Sequence, residues 1–231
     1  MTDRGAATTT ELRFLASPSA GEVSAILIRP AGARWLYVFG HGAGAGMRHH
    51  FMEDAATALA GRGFATFRYQ FAYQEKGSRR IDPQPILFAT VRAAVDAARQ
   101  AAPGLPLLAG GKSMGGRMTS LAASKEPLHG VKGIAFFGFP LHPAGAPDQV
   151  RADHLALVTV PMLFLQGTRD TLADLDLLRP VIDKLGARAA LHVVDGADHG
   201  FNVLKRSGRT PADVMDELTR TMEGWAESLP R

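Results

Sequence analysis

Between a short apolar run and an alanine-rich segment, the chain reads Gly111-Lys112-Ser113-Met114-Gly115, a G-x-S-x-G pentapeptide. Serine between two glycines at a strand-to-helix junction is the pattern of a sharp, strained turn. Such a turn lifts the hydroxyl out as a nucleophile, while small neighbours let strand and helix approach. The chemistry would be acyl transfer through the Ser113 oxygen. The same turn places the Met114 amide at a helix N-terminus, free to donate to a developing oxyanion. Pentapeptides of this kind also arise by chance, and Gly111-Lys112-Ser113 imitates the end of a phosphate-binding G-x-x-x-x-G-K-[ST] loop. Counting back, however, puts Pro106 at the first glycine of that motif, and Leu107 and Leu108 belong to the strand. No loop remains to wrap a phosphate.

A serine hydroxyl is a poor nucleophile until a base takes its proton. Of the eight histidines, His199 is the strongest candidate, because GADHGF follows the last apolar run and its small residues can carry an imidazole over the sheet edge. His192 falls within that run, where a core or packing role is expected. His129, His142 and His154 read as solvated residues of connections, and His49 and His50 as the start of the first helix. The base in turn needs a carboxylate to hold its tautomer. Asp170, closing the short turn GTRD one strand before the histidine loop, is the candidate, with capping of the helix TLADLDLL as its alternative duty. Asp174 and Asp176 read as lying inside that helix. Asp195 and Asp198 are too close in sequence to His199 to reach its far nitrogen. The order Ser113, Asp170, His199 matches one familiar chain order of such triads and not the others.

A second glycine-rich segment runs His41-Gly42-Ala43-Gly44-Ala45-Gly46. Its backbone can pass close to a substrate, and the Ala43 amide is the expected second oxyanion donor. His41, Gly42, Gly44 and, beyond the next strand, Tyr73 are expected to line the substrate's approach. Met47 stands where G-x-G-x-x-G, counted from Gly42, needs its last glycine, so a flavin or nicotinamide site is disfavoured.

These residues need elements to hold them. From about residue 22 onward, short runs rich in Val, Ile, Leu and Phe alternate with Ala-rich stretches whose apolar residues recur three or four apart. The runs GEVSAILIRP, WLYVFG, FATFRYQF, LPLLAGG, VKGIAFFGFP, VPMLFLQG and AALHVVDG read as strands, and ELRFLAS as an antiparallel edge partner of the first. Strands alternating with helices predict an α/β fold: a mostly parallel twisted sheet of about 7–8 strands with helices on both faces. In such sheets ligands gather beyond the carboxyl ends of the strands. The motifs HGAGAG, GGKSMGG, GTRD and DGADHGF all fall there.

Composition narrows the classes. At 231 residues and 46% hydrophobic content, one domain over residues 1–231 is expected, with its core at about 22–228. Charged residues at 21% exclude a disordered chain, and no apolar run approaches the roughly 18 residues of a bilayer span. The start MTDRGAATTTELRF carries Asp3 and Glu11 and no apolar block, so a cytoplasmic location and no membrane association are expected. The net charge of +4 is scattered, with Lys76, Arg79 and Arg80 the one small cluster, and no basic stripe suggests nucleic acid. There is no cysteine, which removes disulfides and thiolate chemistry. Neither a metal nor a cofactor is expected, and oligomeric state is not legible.

Taken together, HGAG, GKSMGG, GTRD and DHGF, in this order and at these strand ends, resemble the α/β-hydrolase fold family. The similarity extends to its small lidless branch of dienelactone-hydrolase-like proteins, whose final GADHGF-type loop is alike. The resemblance implies Ser113 as nucleophile, Asp170 as acid, His199 as base and Ala43 and Met114 as oxyanion amides. Dienelactone hydrolases proper use cysteine where this chain has Ser113, so their lactone substrate is not inherited, and Lys112 stands where many members have histidine or a small residue. The expected activity is hydrolysis of a small carboxylic ester or thioester through an acyl-enzyme. A catalytically idle binding or scaffold protein on the same fold is the alternative. Cap domains in this fold commonly sit between the strands GIAFFGFP and PMLFLQG. Only Leu141 to Val160 separate these here, too little for a lid. The segment FAYQEKGSRRIDP reads as a solvated basic loop.

Overall fold

The computed structural model describes residues 7–147 and 150–230. Its eight strands are β1 (Thr8–Ser17), β2 (Gly21–Arg29), β3 (Trp35–Gly40), β4 (Phe64–Tyr69), β5 (Leu107–Lys112), β6 (Val131–Phe137), β7 (Met162–Gly167) and β8 (Ala189–Val194). The helices are α1 (His50–Ala60), the single turn α2 (Ala72–Glu75), α3 (Gln84–Ala101), α4 (Met114–Lys125), α5 (Leu175–Leu185) and α6 (Pro211–Ser228). One sheet runs in the order β1-β2-β4-β3-β5-β6-β7-β8. The expected edge hairpin is present, with Phe14 opposite Val23, and β2 also pairs antiparallel to β4. From β4 through β8 every pairing is parallel.

Side-chain alternation explains the layers. Along β3, Trp35, Tyr37 and Phe39 face one side and pack with Phe51, Met52 and Leu59 of α1 and with Val214, Leu218 and Met222 of α6. Leu36 and Val38 face the other side, among Val91, Ala94 and Val95 of α3, Met118 and Ala122 of α4 and Leu178 of α5. With both faces covered, the central strands can be apolar throughout, and burial of each large side chain is worth about 1.5–3 kcal/mol. Thr210 starts α6 with a capping box, its side chain accepting from the Asp213 amide while Asp213 accepts from the Thr210 amide.

The strand order places the site. After β3 the chain steps outward to β4 and then returns to the opposite side of β3 as β5. Gly40 and Gly111, the ends of β3 and β5, therefore lie side by side. This is the reversal of direction beside which open α/β sheets bind ligands.

Three expectations are corrected here. The helix read from TLADLDLL begins only at Leu175, and Asp174 is its N-cap, accepting from the Asp176 amide at 2.8 Å, because the preceding residues are still turning around Asp170. His142 and His154 are not solvated. His142 is buried, and Val150–Leu157 forms a 3-10 helix against α4 that sets the His154 Nε2 2.8 Å from Ser120 Oγ. For His192, of the core and packing roles expected, only packing holds. On edge strand β8 it is half-buried and pairs with Glu217 at 2.7 Å. Among the described residues between β6 and β7, only the 3-10 helix Val150–Leu157 intervenes, and no cap domain is present. Lys76, Arg79 and Arg80 are exposed as expected, but the segment is not a solvated loop throughout, because Phe71, Ala72 and Tyr73 are buried and Ala72–Glu75 form α2. No helix of the described residues is long and apolar enough to cross a membrane.

Candidate active site

Ser113 occupies the junction of β5 and α4 with φ 49° and ψ −115°, a conformation that costs a non-glycine residue about 1–3 kcal/mol. The turn is possible only because its neighbours are glycines. A Cβ on Gly111 would stand 2.4 Å from the Gly40 carbonyl oxygen, and one on Gly115 would stand 2.2 Å from the same atom. β3, β5 and α4 thus meet backbone to backbone. The Ser113 amide donates to the Phe137 carbonyl at 3.1 Å, tying the turn to β6.

The loop after β8 brings His199 to this serine. Its Nε2 lies 2.8 Å from Ser113 Oγ, and its Nδ1 lies 2.7 Å from Asp170 Oδ2. A carboxylate can only accept, so the imidazole carries its hydrogen on Nδ1 and offers the Nε2 lone pair to the serine hydroxyl. The Asp170 side chain is fully buried, whereas that of His199 is 23% exposed, so the chain of bonds runs from the interior to a face a substrate can reach. Asp170 is also held by the Leu172 amide at 2.8 Å and by the side-chain amide of Gln166. The loops after β7 and β8 meet as closely as the elbow does: the Arg169 amide donates to the Ala197 carbonyl at 2.9 Å, and a Cβ on Gly167 would stand 2.2 Å from that same oxygen. Asp198 does not bond the imidazole; it accepts from the amides of Gly200 and Asn202 and so shapes the loop.

The glycine-rich loop after β3 lies against the serine, with an ideal Cβ on Gly42 only 3.8 Å from Ser113 Cβ. The amides of Ala43 and Met114 donate to no partner among the described residues. Two expected contributors take a different part. His41 is completely buried, donating from Nδ1 to the Gly42 carbonyl at 2.8 Å and accepting the Phe71 amide on Nε2 at 3.1 Å. Burial lowers its pKa to about 4. Tyr73 is equally buried and donates to the Ala43 carbonyl at 2.8 Å; burial, helped by the charge of Asp82, raises its phenol to about 12. Neither ring is left to touch a substrate. Both brace the loop that carries Ala43.

Three residues were missed in the sequence. Gln166 accepts the Phe139 amide at 3.0 Å while donating to Asp170, and its signal was a lone amide side chain in the buried run MLFLQG. Phe201 is, with Ser113, one of the two non-glycine residues of positive φ among those described, at 63°. Its ring stacks on Phe51 with centroids 5.8 Å apart. Lys112 sends its ammonium over both rings. Behind this pair, a groove of about 790 Å³ runs between α1 and α6. It touches the histidine loop through Gly200, Phe201 and Asn202 and is lined by neither Ser113 nor His199.

A mostly parallel sheet with a serine, a histidine and a carboxylate linked at its carboxyl edge defines a class of hydrolase-like folds. The chain matches the α/β hydrolase domain family over residues 33–227 and belongs to it. Among solved structures it is similar to a dienelactone hydrolase from Anabaena variabilis, at 18% identity and TM-score 0.74 over 97% of this chain and 99% of that one. It is also similar to a serine hydrolase without a lid from Xanthomonas campestris, at 20% identity and TM-score 0.72 over 100% and 99% of the two chains. A serine hydrolase homologue from Coxiella burnetii matches at 19% identity and TM-score 0.71, covering 91% and 97%.

Proposed function

We propose that this protein is a serine hydrolase that cleaves a small carboxylic ester or thioester through an acyl-enzyme on Ser113. The observation that carries this reading is the continuous hydrogen-bonded chain from Ser113 Oγ through His199 to buried Asp170. In the first half-reaction Ser113 Oγ attacks the carbonyl carbon as its proton passes to His199 Nε2. The imidazolium so formed is stabilised by Asp170, which stays ionised. The carbonyl oxygen becomes an oxyanion and takes hydrogen bonds from the Ala43 and Met114 amides. Collapse expels the alcohol or thiol, which receives the proton from His199. In the second half-reaction water attacks the acyl carbon, gives its proton to Nε2, and Ser113 Oγ leaves with that proton returned.

The solved structures that resemble this fold include a dienelactone hydrolase and serine hydrolases, which agrees with hydrolysis and does not choose the acyl group. Without a cap domain, the site suits small soluble esters that reach Ser113 from open solvent. Pre-steady-state assay with a short-chain nitrophenyl ester tests the reading. A burst near one alcohol per chain, with an acyl adduct in the intact mass, is expected. Neither turnover nor adduct across a panel of acyl lengths and thioesters would leave the idle-scaffold alternative standing.

A further inference from the structure

Lys112 closes β5 immediately before Ser113, and its side chain does not leave for solvent. The ammonium lies 5.5 Å from the centroid of Phe51 and 5.1 Å from that of Phe201, and it donates to the backbone carbonyl of His199. Its position converges with the imidazole itself: an ideal Cβ on Gly138 would stand 2.9 Å from Lys112 Nζ and 3.3 Å from two atoms of the His199 ring. Burying an ammonium is expensive unless it is matched. Here the match consists of a carbonyl and two aromatic faces, each of which belongs to a part that must keep His199 in place. Phe51 belongs to α1, Phe201 lies two residues past His199, and the carbonyl is that of His199. A methionine would fill the same space without desolvating a charge, so the charge answers to something other than packing.

We propose that Lys112 is a positioning residue for the base: anchored one residue before Ser113, its ammonium clamps the His199 loop so that Nε2 stays within hydrogen-bond reach of the serine hydroxyl. This inference rests on the reading of Ser113 as the nucleophile. The charged and titratable groups that face the ammonium are Asp170 beyond β7, Asp198 and His199 in the loop, and His49 at the start of α1. Burial draws the ammonium down to about 8, with the charges of Asp170 and Asp198 opposing the shift. A neutral amine keeps its place but loses the charge-assisted bond and the attraction to the rings. The clamp therefore weakens as pH rises through that value.

The test is the second-order rate constant for phosphonylation of Ser113 by a fluorophosphonate, followed against pH for wild type, Lys112→Arg and Lys112→Met. Folding of each variant is checked by circular dichroism and thermal melting. The wild-type constant is expected to fall about tenfold between about pH 7 and about pH 10. The Arg variant should lose this alkaline fall, because a guanidinium stays charged throughout the range. The Met variant, if folded, should react slowly and without an alkaline fall. A flat wild-type profile, the same fall in the Arg variant, or a folded Met variant as fast as wild type at neutral pH overturns the proposal. Should the Met variant not fold, the Arg comparison decides alone. No labelling of Ser113 in wild type at any pH would sink the hydrolase reading itself, and the positioning role with it.

Discussion

The carbonyl oxygen of Gly40 lies 2.2 Å from where a Cβ on Gly115 would be, so β3 and the first turn of α4 are in backbone contact directly behind Ser113. That contact joins the loop carrying Ala43 to the helix carrying Met114. Gly115→Ala should therefore destabilise the fold by about 1–3 kcal/mol or more through overpacking and also abolish acyl transfer. Urea unfolding together with the ester assay checks this. An alanine variant as stable and active as wild type would mean that the elbow is looser than described.

Asp170 and Asp174 are four residues apart in sequence and have separate duties in the structure. Asp170→Asn should lower kcat by as much as roughly 10⁴-fold through loss of the imidazole tautomer. Asp174→Asn should leave kcat near wild type, since asparagine also caps helices, and Asp174→Ala should cost about 1 kcal/mol of stability as α5 loses its cap. Steady-state kinetics and melting curves on the three variants separate the roles, and a reversal would show that the acid is misassigned.

Gln166 is the support of that carboxylate. Gln166→Leu would strand the buried Phe139 amide and take one donor from Asp170, at a cost of about 1–3 kcal/mol. The expected kinetic signature is a reduced kcat with KM little changed, because the residue lies behind the base and away from the substrate. A variant whose KM alone rises would place Gln166 elsewhere in the mechanism.

His41 gives the fold an acid-sensitive point at the glycine-rich loop after β3. Its folded pKa, about 4, lies below the ordinary imidazole value of 6.5, so the unfolded chain binds the extra proton over that interval. Its contribution is complete above about pH 6.5 and is lost as pH falls towards about 4, up to about 3 kcal/mol. His154, lowered to about 4 by burial and then by the charge of Arg117, adds to the same loss. Denaturant titrations at neutral and mildly acidic pH should show His154→Gln losing less stability than wild type. Equal losses would mean that His154 is not a source of the acid sensitivity.

An open site without a cap has a kinetic consequence. Rate against concentration of a short-chain ester should pass smoothly through the solubility limit, because interfacial activation needs a lid that moves. A jump at that limit would show that residues 141–160 cover the serine.

The layout was legible where the physics is local. The apolar runs mark β2 to β8, since a covered sheet demands them, while the mostly exposed β1 was legible only as an edge partner of β2; glycines beside Ser113 advertise a backbone approach that side chains forbid. The four strand-end motifs could be read for the same reason. What was not legible depends on which strands become neighbours. Nothing in HGAGAG says that β3 lies between β4 and β5, so the turning inward of His41 and Tyr73 to brace their own loop is visible only in three dimensions. His142 and His154 looked solvated because a loop's sequence does not show whether it folds back. Gln166 ties Asp170 to the Phe139 amide 27 residues before it, and Lys112 reaches the His199 carbonyl 87 residues on, so neither link shows along the chain.

The central claim is that Ser113 is a nucleophile activated by His199, and active-site labelling tests it most directly. Wild type treated with a fluorophosphonate should gain one phosphonyl group per chain, with the modified peptide carrying it on Ser113. Ser113→Ala, still folded by circular dichroism, should gain none, and His199→Ala should label far more slowly. Labelling that persists in Ser113→Ala, or its absence in folded wild type, would contradict the account.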